Sequence, residues 1–127
     1  MYRLLVERVV PFTLGDESAT VTLRSTQGVI DAFCWPCELA RGTYVCDALS
    51  GDDADVQAAY LADWPDDVRA QRSVERLEKV GEWSYKGVAR VVDQSLGLIE
   101  VLGFRIEVGE VPCDGAVEFS ISRLNVR

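Results

Sequence analysis

At 127 residues, with 48% hydrophobic and 27% charged side chains, the chain has the size and composition of one folded domain rather than of a disordered segment. The formal charge of −8 is local, because residues 47–67 carry seven Asp and no Lys or Arg while the flanks nearly balance. Histidine is absent, which excludes Ser-His-Asp and Cys-His nucleophiles, HExxH zinc sites and imidazole pH sensing.

The first predicted strand is Tyr2 to Val10, rich in branched apolar residues and ended by Pro11. Arg3, Glu7 and Arg8 interrupt it, so it does not read as a secretory leader, and no charge-free run approaches the roughly 18 residues of a spanning helix. A soluble, cytoplasmic protein with no membrane contact is the expectation. After the turn TLGDES, the segment ATVTLR alternates with a two-residue period, Ala19, Val21 and Leu23 on one face and Thr20, Thr22 and Arg24 on the other. Next, GVIDAFCWPCELARGTYVCDALSG reads as a hairpin of Val29 to Trp35 and Thr43 to Leu49, with Gly42 at its turn and Pro36 stopping the first arm.

Beyond Gly51 the spacing of Val56, Tyr60 and Trp64 predicts a helix, capped by Asp53 or Asp55 and ended by Pro65. A second helix is predicted over Asp66 to Val80, with Ala70, Val74 and Leu77 inward, Glu75 and Lys79 paired and Gly81 as its stop. Residues 72–80 also read as a strand extending the one that follows. That strand is WSYKGVARVVD; DQSLG is a turn, and LIEVLGFRIEV is a further strand bent or bulged at Gly103. The last run, AVEFSISRLNV, places Val117, Phe119 and Ile121 inward and Glu118, Ser120 and Ser122 outward.

These elements predict a mainly β single domain over 1–127: a small antiparallel barrel with an acidic helical insertion at about 52–80. GVIDAF followed by RGTYVCDAL, together with YKGVARVV and the terminal GAVEFSISRLNV, resembles an OB-fold barrel over about residues 19–127. The resemblance implies a fold and a binding face and carries no activity across.

The pair in CWPC, Cys34 and Cys37, has the spacing of a redox motif, but ELARGTY is too short for the helix that activates such a thiol. A zinc site drawing in Cys46 and Cys113 lacks the second short-spaced pair, so buried, reduced core thiols are expected, with no metal and no cofactor. GDDAD lacks the ligand spacing of a calcium loop and reads as capping and solvated surface. The remaining feature is aromatic. If Ile30, Cys34, Tyr44 and Cys46 fill the core, the hairpin's other face carries Asp31, Phe33, Trp35 and Val45, with Trp83 and Tyr85 forming a second patch. Cover by Tyr60 and Trp64 is the structural expectation, and a protein-binding surface is the functional one. The function expected is therefore a non-enzymatic binding or adaptor module for a protein partner, in one version an immunity-like inhibitor steered by its acidity. An OB-like single-stranded nucleic-acid binder is the alternative, disfavoured because no basic run exists, and a thiol or zinc protein using Cys34 and Cys37 is the weakest.

Overall fold

The computed structural model describes residues 2–61 and 63–126. Twelve strands and one short helix follow one another among these residues. The strands are β1 (Leu4–Pro11), β2 (Ala19–Arg24), β3 (Val29–Cys34), β4 (Tyr44–Val45), β5 (Leu49–Asp52) and β6 (Asp55–Ala58), followed after the helix by β7 (Arg76–Lys79), β8 (Tyr85–Asp93), β9 (Leu98–Val101), β10 (Phe104–Glu107), β11 (Ala116–Ile121) and β12 (Arg123–Asn125). The helix, α1, is Asp66–Arg72. The chain is mainly β, as its alternating runs predict.

The strands join in one open sheet, ordered β4-β1-β2-β3-β12-β5-β10-β9-β8-β11-β6, with β7 on the edge of β8. This corrects the expected closed antiparallel barrel: the path ends at β4 and β6, and the β5/β10 and β3/β12 pairs are parallel. The sheet nevertheless coils. Only Ser122 separates β11 from β12 along the chain, yet four strands lie between them in the sheet, so the sheet turns back around its core. Leu4, Val21, Leu23, Leu49, Ile99, Phe104 and Leu124 are fully buried there, drawn from both halves of the chain. Burying such side chains stabilises by roughly 1.5–3 kcal/mol each before entropy is counted.

The helical insertion does not form as predicted. A spacing of four is also a multiple of two, so Val56, Tyr60 and Trp64 did not discriminate helix from strand. Val56 faces Phe119 across β6 and β11, and cross-strand packing draws the segment into the sheet. Neither Asp53 nor Asp55 caps a helix; Asp53 has φ 51 in the turn between β5 and β6, and Asp55 opens β6. The second helix is real only over its first two turns. Ser73 turns its hydroxyl back to the Arg69 carbonyl at 2.7 Å, and Arg76–Lys79 then forms a separate strand antiparallel to β8, so the strand reading of 72–80 holds for these four residues but not as an extension of the strand that follows. Glu75 and Lys79 do not pair, since Glu75 accepts from the Leu102 N–H and Lys79 binds Asp31.

The Val29–Leu49 hairpin is also absent. β3 lies between β2 and β12, whereas the following loop carries β4 to the far edge of β1, where Gly42 and Thr43 bond the backbone of Val6. LIEVLGFRIEV is two strands, not one. Leu102 and Gly103, at φ 47 and φ 82, form the tight turn between β9 and β10, where positive φ at both central residues suits a two-residue hairpin loop.

Candidate protein-binding face

A bulge in β1 creates the outer surface of the β1–β3 sheet. Leu4 and Val6 point into the core; Glu7 is then the extra residue between the Val6 and Arg8 register positions. The phase shifts, so Val9 packs toward the core while Arg8 and Val10 face outward. In a regular strand carrying the same residues Arg8 would follow Leu4 and Val6 toward the core.

Rows of side chains then cross the three strands. Val10, Thr20 and Phe33 form one, and Arg8, Thr22 and Asp31 the next. At the end bearing Phe33, three rings meet: Phe12 to Phe33 at 5.9 Å, Phe12 to Trp83 at 5.4 Å, and Phe33 to Trp83 edge-on at 5.3 Å. The Trp83 indole N–H donates to the Thr20 hydroxyl at 3.1 Å, and its carbonyl accepts from Leu124, fixing it across the sheet. The Arg123 guanidinium lies 4.4 Å from the Phe33 ring centre and pairs with Asp52 at 2.8 Å. Phe33 is thus covered by Phe12, Trp83 and Arg123, not by the expected Tyr60 and Trp64, which receive Arg69 and Arg72 instead. Phe12 stays 44% exposed and Trp35, beyond the end of β3, 62% exposed.

The next row is polar and interlocked. Asp31 accepts from Lys79 at 2.5 Å and from Thr22 at 2.6 Å, while its backbone N–H donates to the Tyr85 hydroxyl at 2.8 Å. Burial alone would raise the Asp31 carboxyl, but the bonds from Lys79 and Thr22 outweigh it and hold the group below the usual carboxylate value. The same bond raises Lys79 above its ordinary value.

That row lines an open groove of about 990 Å³, walled by Glu7, Arg8, Asp31, Arg24 and Arg41 over Val10, Val29 and Leu39. Arg24 is tied to Glu7 at 3.0 Å, while among the described residues Arg8 and Arg41 have no carboxylate within ion-pair distance.

Of the residues singled out in the sequence, the fold brings Asp31, Phe33 and Trp83 to this face and sets Trp35 near its end. Val45 and Tyr85 do not belong to a surface: they are 7% and 3% exposed and fill the core. The parity of the second hairpin arm is the reverse of that expected, since Val45 pairs with Leu4, while Tyr44 stands 50% exposed under Arg3 and Cys46 is exposed. Sequence reasoning missed Phe12, Arg8, Arg41 and Arg123. Phe12 was legible as the next residue in phase with Arg8 and Val10; the bulge that turns that phase outward was not.

Among the described residues, no three Cys, Asp or Glu side chains converge as a metal site, and no helix is long and apolar enough to cross a membrane. The features that define a class are thus a coiled, mainly β sheet and an aromatic and arginine-bearing outer face. In comparisons with known proteins, the chain matches no family model, no curated protein and no solved structure.

Proposed function

We propose that the chain is a non-enzymatic binding module of the cytoplasm whose β1–β3 outer face holds a protein partner. The observation that carries this reading is the exposure of Trp35 and of Phe12 in the ring cluster, next to a groove lined by Arg8 and Arg41, which among the described residues make no ion pair. Trp and Arg are the residues that dominate interface energetics, and a half-covered ring cluster offers an anchor already ordered before binding. The charge of the groove selects the partner's segment: an apolar side chain for the aromatic end, and carboxylates for Arg8 and Arg41. The Asp-rich residues 47–67 lie largely on β5, β6 and the approach to α1, so local attraction at the groove is opposite in sign to the net charge.

The test is a comparison of variants against a partner isolated from the native host on the immobilised chain. With the partner identified, calorimetry on Trp35→Ala and Phe12→Ala is expected to show a loss of about 2 kcal/mol for at least one, roughly thirty-fold in Kd. Lys86→Glu, on the opposite part of the sheet, is expected to bind as wild type. Unchanged affinity in both aromatic variants would remove the reading.

A second reading, a single-stranded nucleic-acid binder of OB-like design, draws support from arginines set among stackable rings, as in Arg123 over Phe33. Only Arg8 and Arg41 are unpaired in the groove, against a net charge of −8, so counterion release offers it little. Titration with single-stranded oligonucleotides separates the two: tryptophan quenching at micromolar protein favours this reading, and its absence leaves the protein partner.

A further inference from the structure

The CWPC loop at the end of β3 contains chemistry that the binding face does not use. Cys34 stands opposite Ala19, and the Cys37 N–H donates to the Glu17 carbonyl at 2.7 Å. A regular antiparallel ladder continuing from Cys34 and Ala19 would set residue 36 opposite Glu17. Cys37 occupies that place instead, so the loop holds one residue more than a flat strand, and Cys37 takes the same-side position beside Cys34. Cys34 belongs to the main core cluster and Cys37 packs against it, so the two side chains sit on the same side of the loop. Only Trp35 and Pro36 lie between them, and Trp35 is the most exposed aromatic residue at the face.

We propose that Cys34 and Cys37 are an exchangeable dithiol, oxidised to an intraloop disulfide by a low-molecular-weight disulfide such as glutathione disulfide, and that closing it moves Trp35. Cys37, the less buried of the two, attacks one sulfur of glutathione disulfide, forming a mixed disulfide and releasing one glutathione. Cys34 then attacks the Cys37 sulfur, forming the intraloop bond and releasing the second glutathione. Two thiol protons and two electrons thereby pass from the protein to the oxidant, which is reduced to two thiols. The order follows from environment: burial first, then the bond and charge of Cys37, push the Cys34 thiol up to about 12, so its thiolate is scarce near neutrality. Once Cys37 is in a mixed disulfide its charge is gone, and that part of the obstacle to Cys34 is removed. Any effect on partner binding rests on the proposed binding face; the thiol chemistry does not.

The experiment treats the folded full chain, which has four free thiols, with excess glutathione disulfide, followed by thiol counting and peptide mapping. The expected product has lost two hydrogen atoms and carries a Cys34 to Cys37 bond, reversed by dithiothreitol, with unchanged circular dichroism. Cys34→Ser is expected to stop at a glutathione adduct on Cys37, and Cys37→Ser to leave Cys34 unmodified. Oxidation should also change tryptophan fluorescence, and Trp35→Phe should abolish that change. If Cys34 and Cys37 stay reduced while exposed Cys46 takes glutathione, the dithiol is overturned; if the bond forms without a Trp35 signal, the movement is. The wild-type map decides the first point even where a serine variant fails to fold, and neither result depends on whether a partner binds.

Discussion

The two halves of the sheet bury their inner faces in the same way and differ on the outside. In the first, β1–β3 presents Arg8, Val10, Phe12 and Phe33; in the second, the β6, β11, β8 and β7 surface presents Asp55, Gln57, Glu118, Ser120, Lys86, Glu78 and Arg76. The second is an ordinary solvated surface, with Lys86 paired to Glu78 and Arg72 reaching Glu118. An outer face of this sheet can thus be wholly polar, and the exposed rings of the first half are a departure from that pattern. The contrast is what the proposed binding role of the outer rings rests on, while the inner alternation supplies the core.

The halves share one core, and specific contacts between them offer ways to break the comparison. Phe104 is fully buried on β10, and its ring approaches Gly28 of the β2–β3 turn; nearby, Ser25 donates to the Leu102 carbonyl at 2.6 Å. Phe104→Ala leaves a cavity shared by both halves and is expected to cost about 3–5 kcal/mol, read as a single lowered transition in chemical denaturation. Gly87 tests the β7 edge of the second half. A Cβ there would meet the Arg76 carbonyl oxygen at 1.9 Å, so Gly87→Ala must displace β7 from β8. The expected cost is about 1–3 kcal/mol, with faster amide exchange over Arg76–Lys79 and unchanged protection in β1 and β2, whose described residues make no ion pair with Lys79.

Asp31 joins the halves by charge, since its carboxylate holds Lys79 of β7. Asp31→Asn is expected to cost about 1 kcal/mol near neutrality, a modest figure because Lys79 remains partly exposed. The pH dependence has a definite sign. A carboxyl whose folded pKa lies below its unfolded value, about 3.9, contributes fully above that value and loses the contribution as pH falls through the folded one. The gap between wild type and variant should therefore close in strong acid; a gap that widens on acidification would contradict the assignment.

The sequence disclosed the inner faces and hid the sheet's order. Strict alternation in ATVTLR and AVEFSI identified Val21, Leu23, Val117, Phe119 and Ile121 as core, because a half-buried strand leaves no other pattern. Which strand lies beside which was not local information: β4 crosses to β1 and β5 pairs in parallel with β10, contacts made by residues far apart in the chain. The candidate face was half legible. Phe33 on β3 and Trp35 just past it announce themselves, but the bulge at Glu7 and the return of Arg123 arise from pairing; Val45 was misplaced because the two-residue β4 has no readable period, and Tyr85 because it opens the nine-residue β8 in phase with the buried Ala89 and Val91.

The smallest stability effect belongs to the residue with the largest proposed role in binding. Trp35→Ala is expected to change unfolding free energy by no more than about 0.5 kcal/mol, since most of its surface already faces water. The most direct measurement is therefore calorimetric titration of the isolated partner into wild type, Trp35→Ala, Phe12→Ala and Lys86→Glu, each first confirmed as folded. Roughly thirty-fold weaker binding by an aromatic variant, with Lys86→Glu unchanged, is the predicted result. Equal affinity across the set, or loss confined to Lys86→Glu, would place recognition elsewhere on the molecule.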